Sequence, residues 1–301
     1  MNSKILRYTV PPEDDGRLVW RIARGKMGVS ARQLSRAKVI NGLILDGESV
    51  HADRAVRAGQ TLCIEIYDDA PAFAPAPEEA EVDIVYEDED IYVVNKPAPL
   101  AVQSSPRQSD NTLENRLAFR FKDVPGFIFR PVNRLDKGTS GLMAAAKHAY
   151  AQAALAKQLH TPAFVREYLA VVQGTPEPAG GVIDLPIGKA DGATVKREVR
   201  PDGKPCRTHY DVLSSCGGIS LVHLVLETGR THQIRVHMKA IGCPVLGDFL
   251  YGDERPDVLP GRFALHSARM RFLHPLSGKE LAFSSPLPPE LQSLMCGGKT
   301  E

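Results

Sequence analysis

Apolar positions in the first 67 residues occur first at helical and then at strand spacing. Leu18 and Ile22 lie one turn apart on a first predicted helix, and Ser30-x-x-Gln33 resembles a capping box that opens a second. The pattern then shortens to a period of two, with a two-residue hairpin signal at Asp46-Gly47. The order helix, helix, hairpin, strand predicts a small compact module over residues 17–67.

From about residue 82 onward, short β-rich runs outnumber helical patterns. Thr112 is a candidate N-cap for one helix, and residues 149–159 carry Ala151, Leu155 and Leu159 in line along a second. Because the strands do not alternate regularly with helices, this part predicts an α+β fold on a mixed or antiparallel sheet rather than a doubly wound one. The predicted strands cover residues 82–86, 91–95, 142–146, 168–172, 209–213, 220–227 and 263–272.

A stretch rich in Pro, Ala and acids separates these two patterns. Residues 68–80 read D-D-A-P-A-F-A-P-A-P-E-E-A without periodicity, which is typical of a semi-stiff linker. We therefore expect a small domain over residues 1–69, a linker over 70–81 and a larger domain over 82–301.

The net charge of +1 over 301 residues conceals an uneven distribution. Residues 59–95 contain eleven acids and no Lys or Arg. All 37 basic residues and the other 25 of the 36 acidic residues lie outside that segment, so most of the chain is basic. A basic surface suits a polyanionic partner such as RNA, although it does not require one.

The composition excludes several classes of protein. With 43% hydrophobic residues the chain can bury a core, but no apolar run approaches the roughly 18 residues of a membrane span, and the first residues lack the apolar centre of a secretory signal. The five cysteines are scattered without a C-x-x-C pair, which predicts reduced thiols and neither a disulfide framework nor a zinc site. We expect a soluble, cytoplasmic protein with no membrane partner.

One stretch, residues 131–147, places a carboxylate next to glycines. It reads P-V-N-R-L-D-K-G-T-S-G-L-M-A-A-A-K, in which Asp136 lies between Arg134 and Lys137. The glycines allow a backbone geometry that a side chain would forbid, so Asp136 is expected on a tight loop that feeds a buried strand. On composition alone, the simpler interpretation is a surface aspartate paired with its basic neighbours.

The text N-R-L-D-K-G-T-S-G resembles the catalytic motif of the RluA-type pseudouridine synthases, usually H-R-L-D-x-x-T-S-G. Asn133 stands where many members carry His, whereas Arg134 to Asp136 and Thr139 to Gly141 match. The resemblance implies that Asp136 is the catalytic carboxylate, which either attacks the sugar covalently or deprotonates it. It also implies that Thr139 binds substrate and that Arg134 fills the space left by a flipped base.

Two further segments resemble motifs of this family. Residues 164–174, F-V-R-E-Y-L-A-V-V-Q-G, match its K-x-Y-x-A-x-V-x-G segment, which implies that Tyr168 stacks on the target base and helps to remove its C5 proton. Residues 227–252 give the longest match, which implies that Arg235 pairs with the catalytic aspartate and keeps it ionised. The spacing places Thr231 at a helix cap and Arg235 off the apolar face. By residue type alone, a core tyrosine and a surface arginine are the simpler interpretations.

Three more residues are assigned through the same resemblance. Lys96, in V-N-K-P-A-P-L, corresponds to the family's K-P-A-G-L motif and is expected to shape or charge the rim of the active site. Arg230 and His232, in T-G-R-T-H-Q-I-R, are expected to bind substrate. His232 and His237 lie five apart and do not share a helix face, so no metal site is predicted.

The first module resembles the small RNA-binding domain first known from ribosomal small-subunit protein four. The matching text is S-R-A-K-V-I-N-G-L-I-L-D-G-E-S-V, followed by V-R-A-G-Q-T-L. Arg32, Arg36 and Lys38 are the candidate RNA contacts, because bases on a preformed face neutralise phosphates and release counterions. A solvated helix face is the alternative interpretation.

These resemblances together predict a cofactor-independent RNA pseudouridine synthase, an isomerase. We separately expect a monomer, on which the sequence carries no direct signal. Large-subunit ribosomal RNA is favoured over transfer RNA, because family members that modify it often carry the amino-terminal module. Two alternatives stay open. Departures such as Asn133 allow a non-catalytic RNA-binding or ribosome-assembly factor on the same fold, and a glycoside hydrolase would need a second carboxylate about 5 to 9.5 Å from Asp136.

Overall fold

The computed structural model describes residues 3–67, 75–105 and 108–295. Two large sheets, one short hairpin and several helices make up most of these residues. The strands are β1 (Ser3–Thr9), β2 (Leu43–Leu45), β3 (Glu48–Ser49), β4 (Thr61–Tyr67), β5 (Ile84–Glu87), β6 (Ile91–Lys96), β7 (Arg130–Pro131), β8 (Ser140–Ala146), β9 (Val165–Gln173), β10 (Gly180–Asp184), β11 (Ile187–Lys189), β12 (Arg197–Val199), β13 (Arg207–Cys216), β14 (Ile219–Leu226), β15 (Leu265–Leu273) and β16 (Glu280–Ser284). The α-helices are α1 (Val19–Gly25), α2 (Ala31–Val39), α3 (Leu113–Arg120), α4 (Ala149–Gln158), α5 (Gln233–Ala240) and α6 (Pro289–Gln292).

The amino-terminal sheet has the strand order β1-β4-β2-β3, and α1 and α2 pack against it. The predicted capping box is present, because the Ser30 side chain accepts from the Gln33 N–H and the Gln33 side chain accepts from the Ser30 N–H. The hairpin turns at Asp46, with φ of 50°. Strand β1 was missing from the prediction. Leu6 is its only buried residue, so its apolar alternation is too weak to see, and pairing along β4 is what orders it.

The larger sheet contains ten strands within the described part of the chain. Eight of them run in the order β10-β13-β14-β9-β15-β8-β6-β5, while β16 pairs with β15 and β7 with β8. Strands β15 and β8 pair in parallel and the other described neighbours are antiparallel. The predicted α+β fold on a mixed sheet is therefore confirmed. Strands β10 to β12 were not predicted, because most of their residues are exposed and carry little periodic signal.

Strand β8 lies in the middle of the core and is buried at every residue. Its alternate side chains enter two apolar clusters, with Met143 and Ala145 in one and Ala144 in the other, so the sheet is covered on both faces. At Gly141, φ is +106° and a Cβ atom would lie 2.3 Å from the carbonyl oxygen of Ser267. Only glycine fits here, because β8 and β15 approach closely where they run parallel.

The amino-terminal module touches the larger domain through polar contacts. The Tyr150 hydroxyl on α4 donates to the Met27 carbonyl at 2.6 Å, and Lys4 Nζ on β1 lies 2.8 Å from Asp90 Oδ1. The predicted domain boundaries near residues 69 and 82 stay predictions. Residues 68–74 of the predicted linker region lie outside the described residues.

The cysteines depart from expectation at one position. Cys63, Cys206 and Cys243 are free thiols, but Cys216 is disulfide-bonded, so the prediction of reduced cysteines is wrong there. Within the described ranges, no helix combines the length and the apolar character needed to cross a membrane.

Several acids from the segment without Lys or Arg pair with basic side chains from elsewhere in the fold. Asp90 Oδ1 lies 2.9 Å from His148 Nε2 as well as 2.8 Å from Lys4 Nζ, and its side chain is only 9% exposed. Asp88 lies beside it and pairs with His274 Nε2 at 3.0 Å. Burial opposes the charge of Asp90, but the hydrogen bonds from His148 and Lys4 outweigh it and lower the pKa of Asp90 from 3.8 to about 2.

Replacing Asp90 by Asn should make the unfolding free energy depend less on pH in the acidic range. A carboxyl with a depressed folded-state pKa adds stability that is complete above its unfolded pKa and is lost as the pH falls from about 4 towards 2. In urea unfolding, the free energy of unfolding of the Asp90→Asn variant should therefore be well below that of the unmodified protein at pH 6 and close to it at pH 2.5.

Glu89→Gln is the matched control for this prediction. Glu89 also contacts Lys4, at 3.0 Å, but its side chain is 89% exposed. Exposed ion pairs contribute little to stability, so this variant should behave like the unmodified protein at both pH values. If the difference in unfolding free energy between Asp90→Asn and the unmodified protein did not change with pH, the lowered pKa of Asp90 would be contradicted.

Candidate active site

Asp136 lies on the loop between β7 and β8, and backbone contacts hold that loop in place. The Thr139 N–H donates to the Asp136 carbonyl at 3.0 Å, which closes a turn around the aspartate. The Leu100 N–H donates to the Lys137 carbonyl at 2.9 Å and ties this loop to the one after β6. The Asp136 side chain stays 29% exposed, so the predicted loop carboxylate is accessible.

Lys96 lies beneath this loop instead of at the rim of the site. It is 1% exposed, and its Nζ donates to the carbonyls of Pro97 and Leu100 at 2.8 Å and of Lys137 at 3.4 Å. Burial, together with the charge of Arg262, lowers the pKa of Lys96 to about 7. The expectation of a rim residue is corrected. Lys96 is buried and donates hydrogen bonds to three backbone carbonyls, so it holds the Asp136 loop from the interior of the protein.

Helix α5 presents Arg235 to the aspartate, but its start differs from the prediction. The N-cap is His232, which has left-handed dihedral angles (φ 60°, ψ 20°) and makes no side-chain capping bond, so the proposed Thr231 cap is wrong. Arg235 is only 2% exposed and therefore lies within the buried face of the helix, not outside it. The sequence pattern could not show this, because a buried guanidinium is tolerated only where partners from other elements reach it.

Those partners are two carboxylates on opposite sides of the Arg235 guanidinium. Its Nε and Nη2 donate to Asp248 at 2.6 and 2.8 Å, and its Nη1 donates to Asp136 Oδ2 at 2.8 Å. Burial opposes the charge of Arg235, but the Asp248 bonds and the field of Asp136 outweigh it and raise the pKa of Arg235. Nε and Nη2 hold the guanidinium on Asp248, and the remaining donor, Nη1, fixes the position of Asp136 Oδ2.

Aromatic rings complete the packing around the guanidinium. The Arg235 Cζ atom lies 4.1 Å from the Phe263 ring centroid and 5.0 Å from that of Tyr251. Gly138 leaves room for this arrangement, since a Cβ atom there would lie 2.7 Å from the Phe263 ring. Phe263 therefore connects the Asp136 loop to the arginine.

Asp248 was missed at the sequence level. It is completely buried, and its Oδ1 also accepts the N–H groups of Leu250 and Tyr251 at 3.0 and 3.3 Å. The sequence feature that could have revealed it is a single acid in the apolar segment V-L-G-D-F-L-Y-G, residues 245–252. An acid that is buried with such a segment needs a buried partner.

Asp136, Tyr168 and Arg235 line one open cleft of about 980 Å³. Tyr168 comes from β9 and is 5% exposed; burial raises the pKa of its hydroxyl. Among the described residues, Asp136 is the one acid in the cleft lining, so no second carboxylate supports a glycosidase. Six basic side chains line the cleft: Arg130, Arg134, Lys137, Arg166, Arg230 and Arg235.

The other predicted substrate-binding residues also reach this cleft. Arg134 is exposed at its surface, Arg230 is half-buried, and Thr139 is buried in its wall. His232 Nε2 lies 3.8 Å from Asp136 Oδ2. Asn133, the departure from the family motif, is 5% exposed and accepts the Ala144 N–H at 2.9 Å, so it continues the contacts between β7 and β8 beyond Pro131.

The candidate RNA contacts of the first module lie on α2 and away from the cleft lining. Arg32 and Lys38 are exposed, and Arg36 is half-buried with its Cζ 5.8 Å from the Tyr67 ring centroid. The site therefore contains none of these three bases directly, and any role of theirs concerns RNA outside the cleft.

His232, the N-cap of α5, and His237, within α5, have different surroundings. His237 is fully buried, and its ring nitrogens lie 2.9 Å from Thr208 Oγ1 and from the Leu185 carbonyl, away from His232. The one cluster of metal-ligand type in the described ranges is Asp88, Asp90 and His274. Lys4 and the other hydrogen-bond donors described above already neutralise that cluster.

The family comparison matches this site. The model of the RNA pseudouridylate synthase family matches residues 90–240, which contain Asp136, Tyr168 and Arg235. An uncharacterized RNA pseudouridine synthase of Bacillus subtilis is 35% identical over 91% of this chain and 96% of its own length. A ribosomal large subunit pseudouridine synthase D of Xanthomonas campestris is 38% identical over 84% of this chain and 80% of its own.

A solved structure shows the same resemblance. Human RNA pseudouridylate synthase domain containing 1 superposes with a TM-score of 0.58 at 29% identity, and the match covers 73% of this chain and 88% of that one. The fold and the site thus define an RNA-modifying isomerase. The chain belongs to the RNA pseudouridylate synthase family, of the RluA type, as its motifs predicted. Its activity is that of an RNA pseudouridine synthase, and its substrate is RNA.

Replacing Asp248 by Asn should destabilise the protein strongly. The change leaves the buried Arg235 guanidinium with Asp136 as its one charged partner, and breaking a buried ion pair costs about 3–5 kcal/mol of unfolding free energy. Urea unfolding measures the loss. The control is Asp257→Asn, which breaks an exposed pair with Arg255 and should leave the unfolding free energy nearly unchanged. Equal losses in the two variants would contradict this description of Asp248.

Proposed function

We propose that this protein isomerises uridines in structured RNA with Asp136 as the reacting carboxylate. The supporting observation is the geometry of that side chain. Arg235 is its one hydrogen-bond partner within the described residues and engages Oδ2, which leaves Oδ1 available in a cleft lined by six bases. An accessible carboxylate with a fixed direction is what attack on, or deprotonation of, a ribose requires.

The reaction breaks the N1–C1′ glycosidic bond and joins C5 of the same uracil to C1′. C5 loses a proton and N1 gains one, so the atoms balance without an oxidant or a second substrate. A base inside a helix cannot reach Asp136, so the target nucleotide has to leave the stack. Tyr168 in the cleft wall supplies a surface on which the base stacks, and the exposed Arg134 occupies the position that it leaves.

Large-subunit ribosomal RNA is the favoured substrate. Relatives from Xanthomonas campestris and Zymomonas mobilis, 38% and 36% identical, carry the name ribosomal large subunit pseudouridine synthase D. The helix, helix, hairpin and strand of the first module agree with an RNA-binding domain, and Arg32, Arg36 and Lys38 are its proposed phosphate contacts. Transfer RNA is the other candidate, and mapping pseudouridines in a deletion strain distinguishes them.

Asp136→Asn should abolish pseudouridine formation while the protein still binds RNA. Asn keeps the shape of the side chain but is neither a nucleophile nor a base, and loss of such a group typically costs several orders of magnitude in rate. Tritium release from 5-³H-uridine in transcribed large-subunit RNA measures the activity. Asp123→Asn, an exposed position outside the cleft, is the control and should keep full activity. An active Asp136→Asn enzyme would reject the assignment.

Single alanine substitutions at Arg32, Arg36 and Lys38 should weaken RNA binding without abolishing catalysis at saturating RNA. Each lost phosphate contact reduces the slope of log affinity against log salt by about 1. Filter binding at several salt concentrations measures the slope. Lys279→Ala, an exposed base on the turn between β15 and β16, should leave it unchanged. Slopes that do not change in the three variants would remove the first module from the RNA interface.

A further inference from the structure

The His232 ring lies between a buried tyrosine and the catalytic aspartate. Its Nδ1 is 2.7 Å from the Tyr251 hydroxyl, and its Nε2 is 3.8 Å from Asp136 Oδ2. The two rings meet edge to face, with centroids 5.6 Å apart and an interplanar angle of 74°. His232 also has left-handed backbone angles, which non-glycine residues rarely adopt and which concentrate at functional sites.

The hydroxyl of Tyr251 determines which nitrogen of His232 carries the proton. Tyr251 is 4% exposed, and its oxygen accepts the Arg197 N–H from β12 at 2.8 Å. A buried hydroxyl proton needs an acceptor, and His232 Nδ1 is the acceptor recorded for it among the described residues. Tyr251 therefore donates to Nδ1, and the proton of a neutral His232 lies on Nε2, the nitrogen nearer to Asp136.

The charges around His232 come from several elements. Asp136 on its loop and Asp248 after α5 are acidic, whereas Arg235 on α5 and Arg197 on β12 are basic. Burial lowers the pKa of His232, Asp136 opposes this effect, and Arg235 adds to it. The net direction is downward, so His232 is neutral at neutral pH.

We propose that Tyr251 holds His232 in the neutral Nε2–H form and that His232 is a positioning residue for Asp136. Arg235 donates a hydrogen bond to Oδ2 at 2.8 Å, and His232 Nε2 lies 3.8 Å from the same oxygen, so that both groups face Oδ2 and Oδ1 is left to the sugar. At 3.8 Å the Nε2–H group makes no hydrogen bond to Oδ2, but its dipole restrains the carboxylate electrostatically without adding a second full positive charge, whereas a protonated imidazole would pair with the carboxylate and reduce its reactivity. The positioning role rests on the proposed function of Asp136, but the protonation state does not.

Nitrogen NMR on the full-length protein with ¹⁵N-labelled histidine tests the protonation state directly. The chain has nine histidines, and the signal that is lost in His232→Gln identifies His232. We expect an unprotonated shift at Nδ1 and a protonated shift at Nε2 at pH 7.5. The Nδ1–H form, or a doubly protonated ring, would overturn the proposal. This result is independent of whether the protein isomerises uridine.

The pH dependence of kcat/KM for uridine isomerisation tests the positioning role. Tyr251→Phe removes the donor to Nδ1, so that nitrogen becomes free to accept a proton and the field of Asp136 raises the pKa of His232. Activity should therefore start to fall at a pH about one unit higher than in the unmodified protein as the solution is made more acidic. At pH 8.5, where the ring is neutral in both, the loss should be limited to about fivefold, the value of one hydrogen bond.

Two substitutions at His232 separate the N–H group from the shape of the ring. Glutamine offers an amide N–H that cannot titrate, so His232→Gln should keep measurable activity and lose the acid-dependent decline caused by His232. Leucine offers no donor, so His232→Leu should be at least about tenfold less active than His232→Gln. Equal activity of the two variants, or a Tyr251→Phe profile that coincides with that of the unmodified protein, would overturn the positioning role. Circular dichroism confirms that each variant is folded.

Discussion

The position of one buried guanidinium controls the geometry of the active site. Arg235 lies between Asp248, which is completely buried, and Asp136, which faces the cleft. A buried positive charge is stable only if its donors are satisfied, so the fold has to bring both acids to the same helix. Asp136 and Arg235 are 99 residues apart in the chain, and their contact requires the correct pairing of β8, β9 and β15.

The two acids bound to Arg235 have different roles: Asp248 holds the guanidinium in place, and Asp136 faces the cleft. Asp248 engages two nitrogens of the guanidinium and two backbone N–H groups, which leaves one guanidinium nitrogen for Asp136. Lys96 holds the Asp136 loop from below, and Phe263 packs on the arginine. Asp136, the proposed reacting carboxylate, therefore needs no large movement to be oriented before RNA arrives, and binding energy can be used to extract the base.

Charge distribution makes the cleft basic although the net charge of the chain is close to zero. Several acids of the segment that nearly cancels the net charge pair with basic side chains of the same fold, as Asp90 does with Lys4. The cleft is left with six bases and one acid among its described lining residues, and the first module exposes further bases on α2. A protein of nearly zero net charge can therefore present a locally basic surface to a polyanion.

The sequence by itself determined the local features: the Ser30 capping box, the Thr112 N-cap, the Asp46-Gly47 turn and the family motif around Asp136. These features are formed by residues within a few positions of one another, so the local sequence is sufficient to predict them. Only the tertiary structure revealed Asp248 as the second partner of Arg235, the burial of Lys96 and the ordering of β1. Each of these depends on partners supplied by distant segments. A charged side chain gives no sign in the sequence of whether such a partner will replace the water it loses.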